Sequence, residues 1–123
     1  MSIVLDTNAV LYFLGGRLRE PLPQTHCYIS IITEIELLSY PLLNSESEAE
    51  IHDFLADVTV IELSQEIKQA TINLRRQYRF KLPDAVIVAT ARHLDAQLLT
   101  NDIKLSKTAG VSVIALQLKD EHE

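Results

Sequence analysis

Five short, apolar, β-prone runs alternate with helical stretches along this chain, and that alternation restricts the fold more than any other feature. Ile3 to Leu5, Tyr28 to Ile31, Val58 to Leu63, Gln97 to Thr100 and Val111 to Leu116 read as strands. Thr7 to Leu14 reads as a helix ended by Gly15-Gly16, and Glu34 to Tyr40 as a short helix stopped by Pro41. Ser45-Glu46-Ser47-Glu48 has capping-box spacing and opens a helix to about Leu55. Ser64 can cap a long helix in which Ile67, Ala70, Thr71, Leu74 and Tyr78 line one face. Pro83 suits the start of a helix reaching about His93, and Ile103 to Thr108 forms a single turn. Arg17 to His26, with Pro21 and Pro23, reads as a loop. Strands separated by helices build a parallel sheet with helices on both faces, an α/β fold of three layers, α/β/α.

A chain of 123 residues fits one domain, and 47% hydrophobic residues are enough for a core. The expected division is a body over 1–118 and a polar, mobile tail over 119–123. The single cysteine, Cys27, excludes an internal disulfide and a cysteine-rich metal site, which suits a reducing cytosol. Asp6 interrupts the first apolar run and no basic region precedes it, so no signal peptide is read there. No apolar stretch approaches the ~20 residues of a membrane span. The expectation is a cytoplasmic protein with no membrane partner.

The alternation also places four acids. Asp6 and Asp102 directly follow strands, in Leu5-Asp6-Thr7-Asn8 and Thr100-Asn101-Asp102. Glu36, or its neighbour Glu34, lies early in the helix that leaves the second strand, and Asp84 opens the helix that leads to the fourth. A right-handed crossover helix runs antiparallel to its strands, so its start lies at their carboxyl ends. Ligands of open α/β sheets bind at that edge. Gathered carboxylates repel one another unless they hold cations, and hard oxygen-ligated ions, Mg²⁺ or Mn²⁺, are the expected occupants. Thr7, Asn8, Thr100 and Asn101 are small polar neighbours suited to orienting those carboxylates or their waters. An all-acid site with two metals suits water attack on phosphorus.

Each acid also has an ordinary structural reading. Asp6 can cap the next helix, Thr33 and Glu36 have capping-box spacing, Asp84 favours a helix dipole, and Asp102 sits in an Asn-Asp turn. Convergence of four separate segments on one rim favours the site. Beside Asp84 lies a basic cluster, Arg75, Arg76, Arg79 and Lys81, interleaved with Tyr78 and Phe80. It reads as an RNA-phosphate contact or, equally, as a solvated helix end. Tyr78 fits the apolar stripe and reads as core. His26, His52, His93 and His122 have no ligand spacing, and Cys27 reads as a small core residue. The net charge of −6 weakens a nucleic-acid reading, although without the four acids the balance is only −2.

Leu5-Asp6-Thr7-Asn8, Thr33-x-x-Glu36-Leu37, Leu82-Pro83-Asp84 with its apolar continuation, and Leu98-Leu99-Thr100-Asn101-Asp102 together resemble PIN domains, above all the small VapC-type toxins of VapBC toxin–antitoxin pairs. The resemblance spans nearly the whole chain in order and spacing. It implies a five-stranded parallel sheet of order 3-2-1-4-5 and a Mg²⁺- or Mn²⁺-dependent endoribonuclease. It selects Glu36 over Glu34 and assigns catalysis and metal binding to Asp6, Glu36, Asp84 and Asp102. It further implies an RNA substrate, a co-encoded antitoxin and a homodimer. The short proline-containing segment Arg17 to His26 and the acidic pI of about 5.1 depart from the family pattern. Rival readings are a haloacid-dehalogenase-type phosphatase, disfavoured by Asn8 where a second Asp is needed, and a receiver domain, disfavoured by Leu63-Ser64 after the third strand. A PIN-like module that binds RNA or protein without cutting is the non-enzymatic alternative.

Overall fold

The computed structural model describes residues 2–120. Five strands, β1 (Ser2–Leu5), β2 (His26–Ser30), β3 (Thr59–Ile61), β4 (Gln97–Leu99) and β5 (Val113–Ile114), form one sheet in the order β3-β2-β1-β4-β5. Every pairing is parallel. Among the described residues the helices are α1 (Thr7–Leu14), α2 (Ile31–Leu38), α3 (Ser45–Asp57), α4 (Gln65–Tyr78), α5 (Leu82–Leu94) and α6 (Ile103–Ser106).

Alternation along β1 explains the layers. Val4 points into one core with Leu98, Ile67, Leu74, Val88 and Ala91, which places α4 and α5 on that face. Ile3 and Leu5 point into the other with Val10, Ile29, Ile51 and Phe54, which places α1 and α3 there. Helix α5 is buried at every position from Ala85 to Ala91. A helix apolar all round is a core element, so the run Val86-Ile87-Val88 is helical despite its β-branched residues. The surrounding packing outweighs their propensity.

Several boundaries differ from the sequence reading. Ser30 accepts a hydrogen bond from the Ile32 N–H at 3.1 Å and caps α2, so β2 stops there and Ile31 enters the helix. Thr33 and Glu36 consequently lie inside α2 and form no capping box. Helix α3 is capped by Asn44, whose Oδ1 accepts from the Ser47 N–H at 2.8 Å, and Ser45 is its first helical residue. The edge strands are shorter than their apolar runs. Only Thr59–Ile61 pairs with β2, and only Val113–Ile114 with the three-residue β4. Ladder pairing, not hydrophobicity, sets their length.

The loop after α1 is held by the far end of the chain. Leu18 bridges Leu118, and the Lys119 N–H donates to the Arg17 carbonyl at 2.8 Å. Arg19 and Asp120 face each other at 3.6 Å. Of the expected tail, 121–123 lie outside the described residues. Among the described residues no helix is long and apolar enough to cross a membrane.

Candidate active site

Where β1 and β4 end side by side, the chain turns outward into α1 and α6. Asp6 and Asp102 are the N-caps of these helices. Asp6 Oδ1 accepts from the Ala9 N–H at 2.7 Å, and Asp102 Oδ1 from the Lys104 N–H at 2.9 Å. The capping reading of Asp6 therefore holds, and Asp102, read from the sequence as part of an Asn-Asp turn, proves to be a cap as well; neither role competes with a site. Both carboxylates line one cleft of about 150 Å³ together with Glu36, Asp84, Thr7, Asn8, Tyr40 and Pro83. All four sequence-derived acids meet there.

The polar neighbours divide. The Thr100 hydroxyl, buried, donates to Asp6 Oδ2 and accepts from the Asp102 N–H at 3.0 Å, so it ties two of the acids together. Thr7 donates to Glu36 Oε1 at 2.6 Å, and its hydroxyl also meets that of buried Thr33 at 3.0 Å. Asn8 lines the cleft with an exposed side chain. Asn101 does not line it. Its Oδ1 accepts from the Leu116 N–H at 2.6 Å and fastens the segment after β5. Thr33 and Tyr40 are contributors that sequence reasoning missed. Thr33 had a signal, since it opens the motif that ends in Glu36. Tyr40, four residues after Glu36 and just beyond α2, lay within reach of the same argument.

The acids differ in what holds them. Asp6 is 6% exposed. Burial pushes its pKa up, hydrogen bonds from Thr100 and Ala9 oppose this, and Asp84 and Asp102 push further upward. Asp84 lies in the first turn of α5, whose N-cap Lys81 makes no side-chain cap. Among the described residues its carboxylate makes no hydrogen bond. Burial raises its pKa, Asp102 and Glu36 add to the rise, and Lys81 and Lys104 oppose it. The cleft is thus an electrostatic cost to the apo fold. Among the described residues, no three acidic, histidine or cysteine side chains are close enough together, as they stand, to enclose a metal ion. The donor set is nonetheless all oxygen and strongly anionic, the set a hard divalent cation takes. Asp84, lacking a hydrogen bond, is the most readily recruited.

The basic cluster is split by the fold. Arg75 Nε donates to the Phe80 carbonyl at 3.2 Å and secures the end of α4. Arg79 and Lys81 line a second cavity of about 410 Å³ that borders Asp84 and Asp102, whereas Arg75 and Arg76 do not. Tyr78 stacks on Phe80 with ring centroids 5.2 Å apart, and its hydroxyl accepts from the Ala109 N–H at 3.1 Å. It is a packing residue, as its place in the apolar stripe implies.

A three-layer α/β/α domain of strand order 3-2-1-4-5, with carboxylates converging beyond the carboxyl ends of its central strands, has the architecture of PIN-like domains. The chain belongs to the PIN domain family, whose model matches residues 3–111. No curated protein matches the sequence. Among solved structures, the chain is similar to VapBC2 from Rickettsia felis bound to a DNA fragment from its promoter, with a TM-score of 0.80 and 20% identity over 95% of this chain and 100% of that one. It is also similar to DNA-bound VapBC from Salmonella typhimurium, with a TM-score of 0.80 and 18% identity over 94% and 98%. A toxin–antitoxin complex from Klebsiella pneumoniae matches with a TM-score of 0.71 and 28% identity over 91% and 95%.

Proposed function

We propose that this protein is a Mg²⁺- or Mn²⁺-dependent endoribonuclease and the toxin of a toxin–antitoxin pair, inhibited by a co-encoded antitoxin, homodimeric and cytoplasmic. The observation that carries the nuclease reading is the convergence of Asp6, Glu36, Asp84 and Asp102, from four separate segments, on one cleft. Among the described residues, no histidine or cysteine lines that cleft. When bound there, a divalent ion supplies Lewis acidity at phosphorus and a lowered pKa for an attacking water. The chain's own groups prepare the cleft. Ala9 and Thr100 hold Asp6 in one orientation, Thr7 orients Glu36, and Asp84 stands free to join a ligand shell. The toxin reading is supported by the Klebsiella pneumoniae toxin–antitoxin complex, which this chain matches over nearly its full length.

Asp84→Asn is the decisive variant, because a carboxylate that makes no hydrogen bond among the described residues can become an amide without unsettling its neighbours. Expected is Mg²⁺-dependent cleavage of RNA by the wild type, with a loss of at least about 100-fold in Asp84→Asn, roughly 3 kcal/mol of barrier. Product ends should be 5′-phosphate and 3′-hydroxyl. Ends bearing 2′,3′-cyclic phosphate would mean attack by the RNA's own hydroxyl and would overturn the mechanism.

A further inference from the structure

Beyond Asp84 and Asp102, the acid cleft opens onto a cavity of opposite character. Arg79, Lys81 and Lys104 line it together with both acids. The three cations come from two places in the chain. Arg79 and Lys81 sit in the connector between α4 and α5, and Lys104 lies in the short helix capped by Asp102. Among the described residues none of the three side chains makes a hydrogen bond or ion pair, although two carboxylates share the cavity. Elsewhere in the cluster Arg75 is committed to a carbonyl. Lys81 and Lys104 act on Asp84 only through space, and in a chain with 11 basic and 17 acidic residues three cations around one cavity run against the overall balance. Arg79 has φ 59° and ψ 33°, a left-handed conformation uncommon for a residue with a side chain. Glycine is the usual residue there.

We propose that Arg79, Lys81 and Lys104 form a phosphate subsite, which holds a backbone phosphate of single-stranded RNA next to the phosphodiester presented to the carboxylates. The proposal rests on the nuclease reading and adds a position to it. RNA alone would be repelled by four carboxylates, so an acidic active site needs cations at its border to hold the polyanion. The cavity is contiguous with the cleft through Asp84 and Asp102, so a strand leaving the cleft on that side meets the cations. A guanidinium and two ammonium groups suit phosphate oxygens, and their pairing with phosphate makes affinity salt-dependent. The rival role for these cations is to balance Asp84 and Asp102, and that role requires no contact with RNA.

The test is a double variant, Arg79→Gly with Lys104→Ala. Glycine adopts a φ of 59° more easily than arginine, and Lys104 is exposed, so the fold is retained. Binding of a fluorescent single-stranded RNA is followed by anisotropy on wild type, the double variant and a control, Lys68→Ala, on the exposed surface of α4. Expected for the double variant are about tenfold weaker binding and a salt slope reduced by about 0.7, the value for one phosphate on a single strand. The control should match wild type. In cleavage, KM should rise in step with the weakened binding. A single neutral methylphosphonate, scanned along the RNA, should weaken wild-type binding at one linkage and leave the double variant insensitive there. If wild type cuts RNA and the double variant binds with unchanged affinity and slope, the subsite is refuted and the nuclease reading stands. If wild type binds RNA through these residues without cutting it, the subsite stands and the nuclease reading falls. RNA neither bound nor cut overturns both.

Discussion

Two clefts in this protein use the same materials to opposite ends. The larger, about 650 Å³, lies between α1 and α3 and is walled by Phe13, Leu14, Leu22, Phe54 and Val58, with Glu50, Asp53 and Asp57 along its rim. Those acids all come from one helix, and all three are exposed, where water solvates them. The smaller cleft, about 150 Å³, takes its acids from four separate segments and draws two of them far enough from water to raise their pKa values. Size therefore does not mark the chemistry. Perturbed carboxylates gathered in a cleft are a stronger sign of function than its volume, which is why the proposed function rests on the smaller cleft. At the larger cleft Phe13 and Phe54 meet with ring centroids 5.8 Å apart.

The comparison fails if the two clefts do not separate stability from metal response. Phe54 is 6% exposed, and Phe54→Ala should cost about 3 kcal/mol of stability, since a large apolar side chain is lost and a cavity remains. Its metal-induced rise in melting temperature should equal that of wild type. A variant that loses the metal response as well would show that the clefts are coupled. The next effect concerns the acid cleft alone. A cation bound only to the native state stabilises it by about 2.7 kcal/mol at 100 times its Kd. Mg²⁺ or Mn²⁺ should therefore raise the wild-type melting temperature progressively through a titration, and Asp84→Asn should respond less. A melting curve indifferent to both metals at saturation would remove the distinction between the clefts.

The smallest effect sharpens it. The folded-state pKa of Asp84 is raised above 3.8, so the stability linked to its proton is fully present below that ordinary value and is lost as pH rises through the raised one. Without metal, Asp84→Asn should be more stable than wild type at pH 7, and the advantage should shrink as pH falls toward 3.8. Urea unfolding of both proteins at pH 7 and near pH 4 measures this. An advantage equal at the two pH values would assign it to something other than the charge.

The amino-acid sequence by itself determined the alternation of strands and helices, the parallel sheet, and the rim on which four acids stand. These follow from local spacing and from the connection rule for parallel strands. Asp6 and Asp102 were legible because they follow strands directly, and Asp84 because it opens a helix that must run back along the sheet. Helix and strand limits were less legible. Ser30 and Asn44 compete as caps with equally plausible neighbours, and edge strands end where their partners end. Only the tertiary structure decided which polar residues serve the site. Thr100 reaches Asp6 across 94 positions of sequence, Thr7 reaches Glu36 across 29, and Asn101 turns to Leu116 instead. It likewise separated Arg79 and Lys81 from Arg75 and joined them to Lys104. Hydrogen bonds and charge pairs between distant segments have no local period to read. They depend on where side chains from different elements arrive once the layers have packed.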